Sequence, residues 1–343
     1  MEIAKYIAVR LVVVALFVLA ANQLYLNTFW KSDIAAHADI LENLWDVDPN
    51  ADAIYFGESS NFHVVPGSKE KHRISAMIND ALPNIYVDKV DHSGLHAGTY
   101  LAVLKNIPEE MPLKFIIVTM NFRAFDAVWR FALGENYLAK TETMLQSGLP
   151  IVNKFLVSLK NYDFKTNEHR TEQFQDAWIN EKFSIPNFEY QNVKSWDSAM
   201  AWRVWLGKNP YLTEENIPLA CHYIKNFAFD IDTISNPRIK DFDEIVSICK
   251  SRNIKVFFNL LSENMVEADK LVGDNLLYLM DKNREMLIER YTSKGAIVVD
   301  NMYSVPDSCF LDRGWPTEHY SKFGKRIVAK NVSNIIIENG YGN

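Results

Sequence analysis

Ser59 stands at an abrupt change of character in the chain. Residues 53–56 (AIYF) are apolar, Gly57 stops the run, and Glu58, Ser59, Ser60 and Asn61 follow at once. A serine there sits where a buried strand leaves its sheet, and ligands of parallel α/β sheets bind outside the carboxyl ends of the strands. Capping a helix is the plainer role for Ser59 or Ser60. The chemical role is nucleophile, which needs a base to take the hydroxyl proton and a third group to fix that base. A candidate base is His319, in WPTEHYSKFG at 315–324. The ordinary alternative is a surface or helix-capping histidine. Two carboxylates lie within reach along the chain: Glu318, adjacent to the histidine, and Asp312 upstream. Neighbouring side chains tend to diverge, whereas a loop can fold Asp312 back. A Ser–His dyad with no acid is the third arrangement.

Acyl chemistry also needs donors for a developing oxyanion. DHSGLHAGTY (91–100) supplies Gly94 and Gly98, where backbone can approach closely and N–H groups can point at a ligand. VTMNF (118–122) supplies Asn121, directly after another apolar run. Each stretch also reads as an ordinary strand-ending turn.

A βα rhythm must position these residues. The patterning predicts strands at 53–56, 84–90, 113–119, 254–261 and 296–300. It predicts helices at 33–45, 69–82, 97–107, 241–251, 276–294 and 321–338. Alternation of this kind predicts a parallel sheet with helices on both faces. Residues 127–236 break the rhythm. They are rich in Trp129, Tyr137, Trp178, Trp196, Trp202 and Trp205, and read as a mostly helical, aromatic-rich insertion between 31–126 and 237–343. Those aromatics read as core, with a carbohydrate or partner surface as the sharper alternative.

Residues 1–30 form a separate unit. LVVVALFVLAA (11–21) extends at both ends towards the ~20 apolar residues that a spanning helix needs. Lys5 and Arg10 precede its centre and place the N-terminus inside, with the C-terminal domain extracytoplasmic. Cleavage after Val18-Leu19-Ala20 is the rival reading, as a signal peptide. A buried helix of a soluble domain is a third. An uncleaved single-pass anchor fits best, because Leu24, Tyr25, Leu26, Phe29 and Trp30 continue the apolar and aromatic character past that point.

The net charge of −7, with both signs dispersed, argues against a nucleic-acid binder. Cys221, Cys249 and Cys309 lie far apart without a CxxC, so no thiolate metal site is expected and at most one disulfide. His92 and His96 are four apart but lack an HExxH context, which argues against zinc. No phosphate-binding glycine loop with lysine occurs, and no cofactor is expected.

Taken in order, Gly-x-Ser after the first strand, Gly after the second, Asn after the third and His before the last helix resemble the SGNH (GDSL-like) hydrolase superfamily. The resemblance covers 52–126 and 237–338. It implies an SGNH-hydrolase-like, flavodoxin-like α/β sheet, with Ser59 as nucleophile and His319 as base. The Ser59 amide, Gly98 or Gly94, and Asn121 would form the oxyanion hole. Three departures stand out. Gly57-Glu58-Ser59 replaces Gly-Asp-Ser, and Thr119-Met120-Asn121-Phe122 replaces Gly-x-Asn-Asp. Pro316 occupies the place of the usual acid three residues before the histidine. Anchor, extracytoplasmic domain and insertion together are similar to the D-alanine transfer protein of teichoic-acid modification and to the SGNH proteins of alginate and peptidoglycan O-acetylation. That similarity implies a membrane-bound O-acyltransferase as partner and an envelope polysaccharide or glycopolymer as acceptor. An envelope carbohydrate or lipid esterase is the second expectation. A catalytically inactive scaffold for glycan binding or assembly is the third.

Overall fold

The computed structural model describes residues 2–64, 72–126, 135–160, 168–169, 172, 211–213 and 215–342. Five strands form one sheet: β1 (Ala53–Gly57), β2 (Val87–Asp91), β3 (Phe115–Met120), β4 (Lys255–Leu260) and β5 (Ile297–Asp300). All pairings are parallel and the order is β2-β1-β3-β4-β5. This is the flavodoxin-like order, whose direction reverses between β1 and β3 and opens a crevice at their carboxyl ends.

The strands read as unbroken apolar runs because both faces are covered. Alternate residues of β1 and β3 serve different layers. Tyr55, Phe115 and Ile117 pack with Ile74, Ile78, Val328 and Val332 on one face. Phe56, Ile116 and Val118 pack with Tyr100, Val103, Phe242 and Leu287 on the other. The first layer is covered by α5 (Ile74–Ala81) and the last helix, α13 (Lys322–Glu338). The second is covered by α6 (Ala97–Leu104), α10 (Pro237–Ser251) and α12 (Asp274–Ser293).

The chain opens with α1 (Glu2–Thr28), followed by α2 (Trp30–His37) and α3 (Ile40–Trp45). The single helix expected over 33–45 is therefore two. The Tyr137 hydroxyl accepts from the Ile40 amide at 3.2 Å and donates to Asp39 at 2.6 Å, which satisfies the backbone at the break. Of the helix expected over 69–82, residues 69–71 lie outside the described residues and α5 begins at Ile74, where the Asn61 side chain accepts from the Ser75 amide at 2.8 Å in the first turn. Between β3 and β4 the described elements are a 3₁₀ turn (Phe122–Phe125) and helices α7 (Glu135–Leu145), α8 (Pro150–Ser158) and α9 (Ile217–Phe227). Trp129, Trp178, Trp196, Trp202 and Trp205 lie outside the described residues. The remaining helices are α4 (Ser59–Phe62) and α11 (Met265–Leu271), neither foreseen from periodicity because each is too short to show one. Cys249 and Cys309 are free and buried.

In α1, residues 3–28 are long and apolar enough to cross a membrane, and none of the apolar window is buried in the protein.

Candidate active site

The site is built at the β1/β3 switch point. Gly57 ends β1 in a position no other residue fits, since a Cβ there would lie 2.7 Å from the Tyr55 ring and 3.1 Å from Asn61 Cβ. Glu58 then caps α4, its carboxylate accepting from the Ser60 amide at 3.3 Å. Ser59 is thereby the first residue of a helix, where an amide has no acceptor within the helix and faces outward. Asn61 ties this turn down through Ser75 and Asp91, at 3.1 and 2.6 Å.

His319 Nε2 lies 2.9 Å from Ser59 Oγ, although 260 residues separate them. His319 Nδ1 lies 2.7 Å from Asp312 Oδ2, and that oxygen also accepts from Thr317 Oγ1 at 2.6 Å. The tautomer that satisfies both ring contacts carries its proton on Nδ1 and accepts from the serine at Nε2. The loop shape explains why an acid seven residues upstream reaches the imidazole. Phe310 pairs with Tyr320 in an antiparallel bridge, and the Leu311 and Ser321 amides donate to His319 and Cys309 carbonyls at 2.9 and 2.8 Å. Residues 312 and 319 thus come face to face while Pro316 lies at the far end of the loop.

Glu318 takes a different place. Its carboxylate is gripped by Arg123, with Nε at 2.6 Å and Nη2 on the other oxygen, and it accepts from Asn121 Nδ2 at 2.9 Å. It does not hydrogen-bond the imidazole. Strand-like alternation around residue 319 sends the two side chains to opposite sides. Asn121 uses Oδ1 to cap its own turn, accepting from the Arg123 amide at 2.9 Å. One hydrogen of its amide is used by Glu318.

A cavity of about 250 Å³ opens over Ser59, lined among others by Gly94, His96, Asn121, Arg123, Trp315 and His319. Gly94 reaches it with φ +72, a left-handed conformation that glycine adopts without strain. Gly98 does not line it. Gly98 lies inside α6, where a Cβ would lie 2.8 Å from Leu138 Cδ2 and 3.1 Å from Asp241 Oδ2. Its smallness serves helix packing, so Gly94 is the glycine at the site.

Burial lowers the pKa of His319, and the His63 ring stacked on it lowers it further, against the raising effect of Asp312. The rings lie 3.8 Å apart and 8° from parallel. The imidazole is therefore neutral at neutral pH, as a proton acceptor must be. Burial works against the Asp312 carboxylate, but its hydrogen bonds from Thr317 and His319 outweigh this and hold its pKa below the usual range. Behind the serine, three buried acids share one guanidinium. Burial opposes charge on Glu318, but Arg123 holds it ionised. Burial, and then the Glu318 charge, raise Glu263 well above the carboxylate range and raise Glu58 above its ordinary value.

Among the described residues, His63, Asp312 and His319 form the one group with metal-type donors, all within 4.8 Å of one another. Both His319 nitrogens are already engaged, and parallel rings offer no common in-plane position for an ion. His92 and His96 do not form a pair: His92 meets Asp39 at 3.3 Å and His96 meets Glu135 at 2.9 Å.

His63, Arg123 and Trp315 were not singled out from the sequence, and His96 was considered only as a metal ligand. Their spacing held a signal: His63 is one helical turn past Ser59, Arg123 two residues past Asn121, and Trp315 four before His319.

No protein-family model and no curated protein sequence matches the chain. Solved structures similar to it include a GDSL-like lipase from Bacteroides thetaiotaomicron, at 9% identity and TM-score 0.38, covering 91% of this chain and 98% of that one. Another is a catalytic mutant of an acetylxylan esterase from Geobacillus stearothermophilus, at 11% identity and TM-score 0.37, covering 85% and 96%. A third is an extracellular lipase from Streptomyces rimosus, at 10% identity and TM-score 0.35, covering 82% and 98%.

Proposed function

We propose that this protein is a membrane-anchored serine acyl-transfer enzyme of the SGNH type. The observation that carries the reading is the continuous Ser59–His319–Asp312 relay beneath an open cavity. An inactive scaffold has no need to keep Ser59 and His319 2.9 Å apart.

Ser59 Oγ attacks the carbonyl carbon of an acyl donor as its proton passes to His319 Nε2. Asp312 stabilises the resulting imidazolium. The Ser59 amide, Gly94 and the second hydrogen of Asn121 Nδ2 receive the oxyanion, with Gly98 left out. The leaving oxygen takes the proton from His319 as the acyl–oxygen bond breaks, leaving an ester on Ser59. An acceptor hydroxyl then gives its proton to His319 as it attacks the ester, and His319 passes that proton to Ser59 Oγ as the acyl–Oγ bond breaks, freeing the serine.

An envelope polysaccharide or glycopolymer supplies that hydroxyl, and a membrane-bound O-acyltransferase supplies the acyl group. Trp315 at the cavity favours a sugar acceptor, because an aromatic face packs against the apolar face of a sugar ring. The exposed apolar part of α1 would span the membrane and hold the domain near its partner, raising effective concentration without new contacts. The second reading is an envelope esterase, in which water takes the acyl group.

Partition of the acyl group separates the two. Full-length protein in nanodiscs is given an activated acyl ester with and without an oligosaccharide acceptor. Acylated sugar formed faster than free acid, and absent in Ser59→Ala, supports transfer. Free acid alone at every acceptor concentration supports the esterase, and no Ser59-dependent product contradicts both.

A further inference from the structure

Helix α8 buries Asn153 and Val157 and turns Val152 and Phe155 outward, followed by Leu159 just past its end. These three are 42, 60 and 58% exposed. They recur at i, i+3 and i+7, which is one stripe of a helix. Such a stripe is costly in water.

The position of α8 says what covers it. The Ile151 amide donates to Asn22 Oδ1 at 3.1 Å, and the helix packs against α1. Along α1, Ile3, Tyr6, Leu11, Val14, Phe17 and Leu19 are all exposed, whereas Asn22 and Tyr25 are buried against the domain. At 1.5 Å per residue, Ile3 to Asn22 spans about 28 Å. That is close to the roughly 30 Å thickness of a bilayer's hydrocarbon core. The first turn of α8 is therefore held at the depth where hydrocarbon gives way to headgroups. Aromatic Tyr25, Phe29 and Trp30 follow in the next turns, as residues at an interface do. Lys154 leaves the stripe, pairing with Asp33 at 2.8 Å, and Lys160 is exposed beyond it. Long cationic stems suit the headgroup layer.

We propose that α8 lies in the extracytoplasmic membrane interface, with Val152, Phe155 and Leu159 among the lipid acyl chains. The inference rests on α1 being a membrane span. Two attachments then fix the tilt of the domain, so the cavity keeps one height and direction relative to the bilayer instead of swinging on a single helix.

The test replaces Phe17, Phe155 or Tyr278, one at a time, by the photo-crosslinking residue p-benzoylphenylalanine. All three are exposed aromatics, at 74, 60 and 55%. Full-length protein is irradiated in nanodiscs of phosphatidylethanolamine and phosphatidylglycerol, and lipid adducts are read by intact mass. The expected result is lipid on positions 17 and 155 and none on 278. Lipid at 17 without lipid at 155 overturns the inference and leaves the anchor standing. No lipid at either position overturns both. Crosslinking of 155 to a second protein in native membranes, without lipid, assigns the stripe to a protein partner and also overturns the proposal.

Discussion

Two carboxylates flank the imidazole in sequence space and have opposite fates. Asp312 sits at the solvent rim of its loop, about a third exposed, and meets His319 seven residues further on. Glu318 is adjacent in the chain but 1% exposed, and is sealed against Arg123 beneath the nucleophile turn. The rim carboxylate hydrogen-bonds the imidazole directly. The buried one is fixed by Arg123 and Asn121. Chemical reach is decided by loop closure, and covalent adjacency decides very little.

Removing the nucleophile should have the largest effect. Ser59→Ala should lower ester turnover by about four orders of magnitude or more with the melting temperature unchanged. A residual rate near wild type would relocate the chemistry.

Asp312→Asn should cost about 10²- to 10⁴-fold in turnover, because the imidazole loses the partner that fixes its tautomer. Stability should barely move. Arg123→Met should do the reverse in kind. It strands a buried carboxylate and should destabilise the fold by about 3–5 kcal/mol in urea unfolding. If Asp312→Asn unfolds the protein, or Arg123→Met leaves its stability intact, the contrast between rim and cluster fails.

The pH dependence sharpens the same contrast. His319 must be neutral to accept a proton, and its pKa is lowered, first by burial and then by His63. Turnover should therefore rise with pH through a midpoint below the ordinary histidine value of about 6.5. His63→Phe keeps a stacked ring but removes the neighbouring imidazole, so the midpoint should move up, by about one unit or less. A midpoint that moves down contradicts the electrostatic role of the stack.

The smallest effect is expected at Glu263. Glu263 has its pKa raised by burial, so the folded chain holds a proton that the unfolded chain has released above the normal carboxylate range. Stability then falls as pH rises through that window. Glu263→Gln should remove this slope and gain on the order of 1 kcal/mol at pH 8, read by denaturant midpoint. A steeper slope in the variant contradicts the assignment.

The order Ser59, Gly94 or Gly98, Asn121, His319 was legible because the first three positions follow strands and the last precedes the final helix, and strand ends share one edge of a parallel sheet. The five strands were legible for a related reason: burial on both faces leaves apolar runs such as FIIVTM that admit few other readings. The choice between Asp312 and Glu318 was not legible, since it depends on the Phe310–Tyr320 bridge that closes the loop. Gly94 and Gly98 could not be separated either. One meets the cavity and the other a leucine, and only packing distinguishes them. Arg123 went unnoticed because a lone arginine after a strand reads as surface until its partner, 195 residues away, is known.

The central claim is that Ser59 is the activated nucleophile of a relay completed by Asp312. The direct measurement is labelling of the full-length protein in nanodiscs with a fluorophosphonate, followed by peptide mapping of wild type, Asp312→Asn and Ser59→Ala. The account predicts one adduct, on Ser59, formed much more slowly in Asp312→Asn and absent from Ser59→Ala. An adduct on another serine such as Ser60, or equal labelling of wild type and Asp312→Asn, would contradict it.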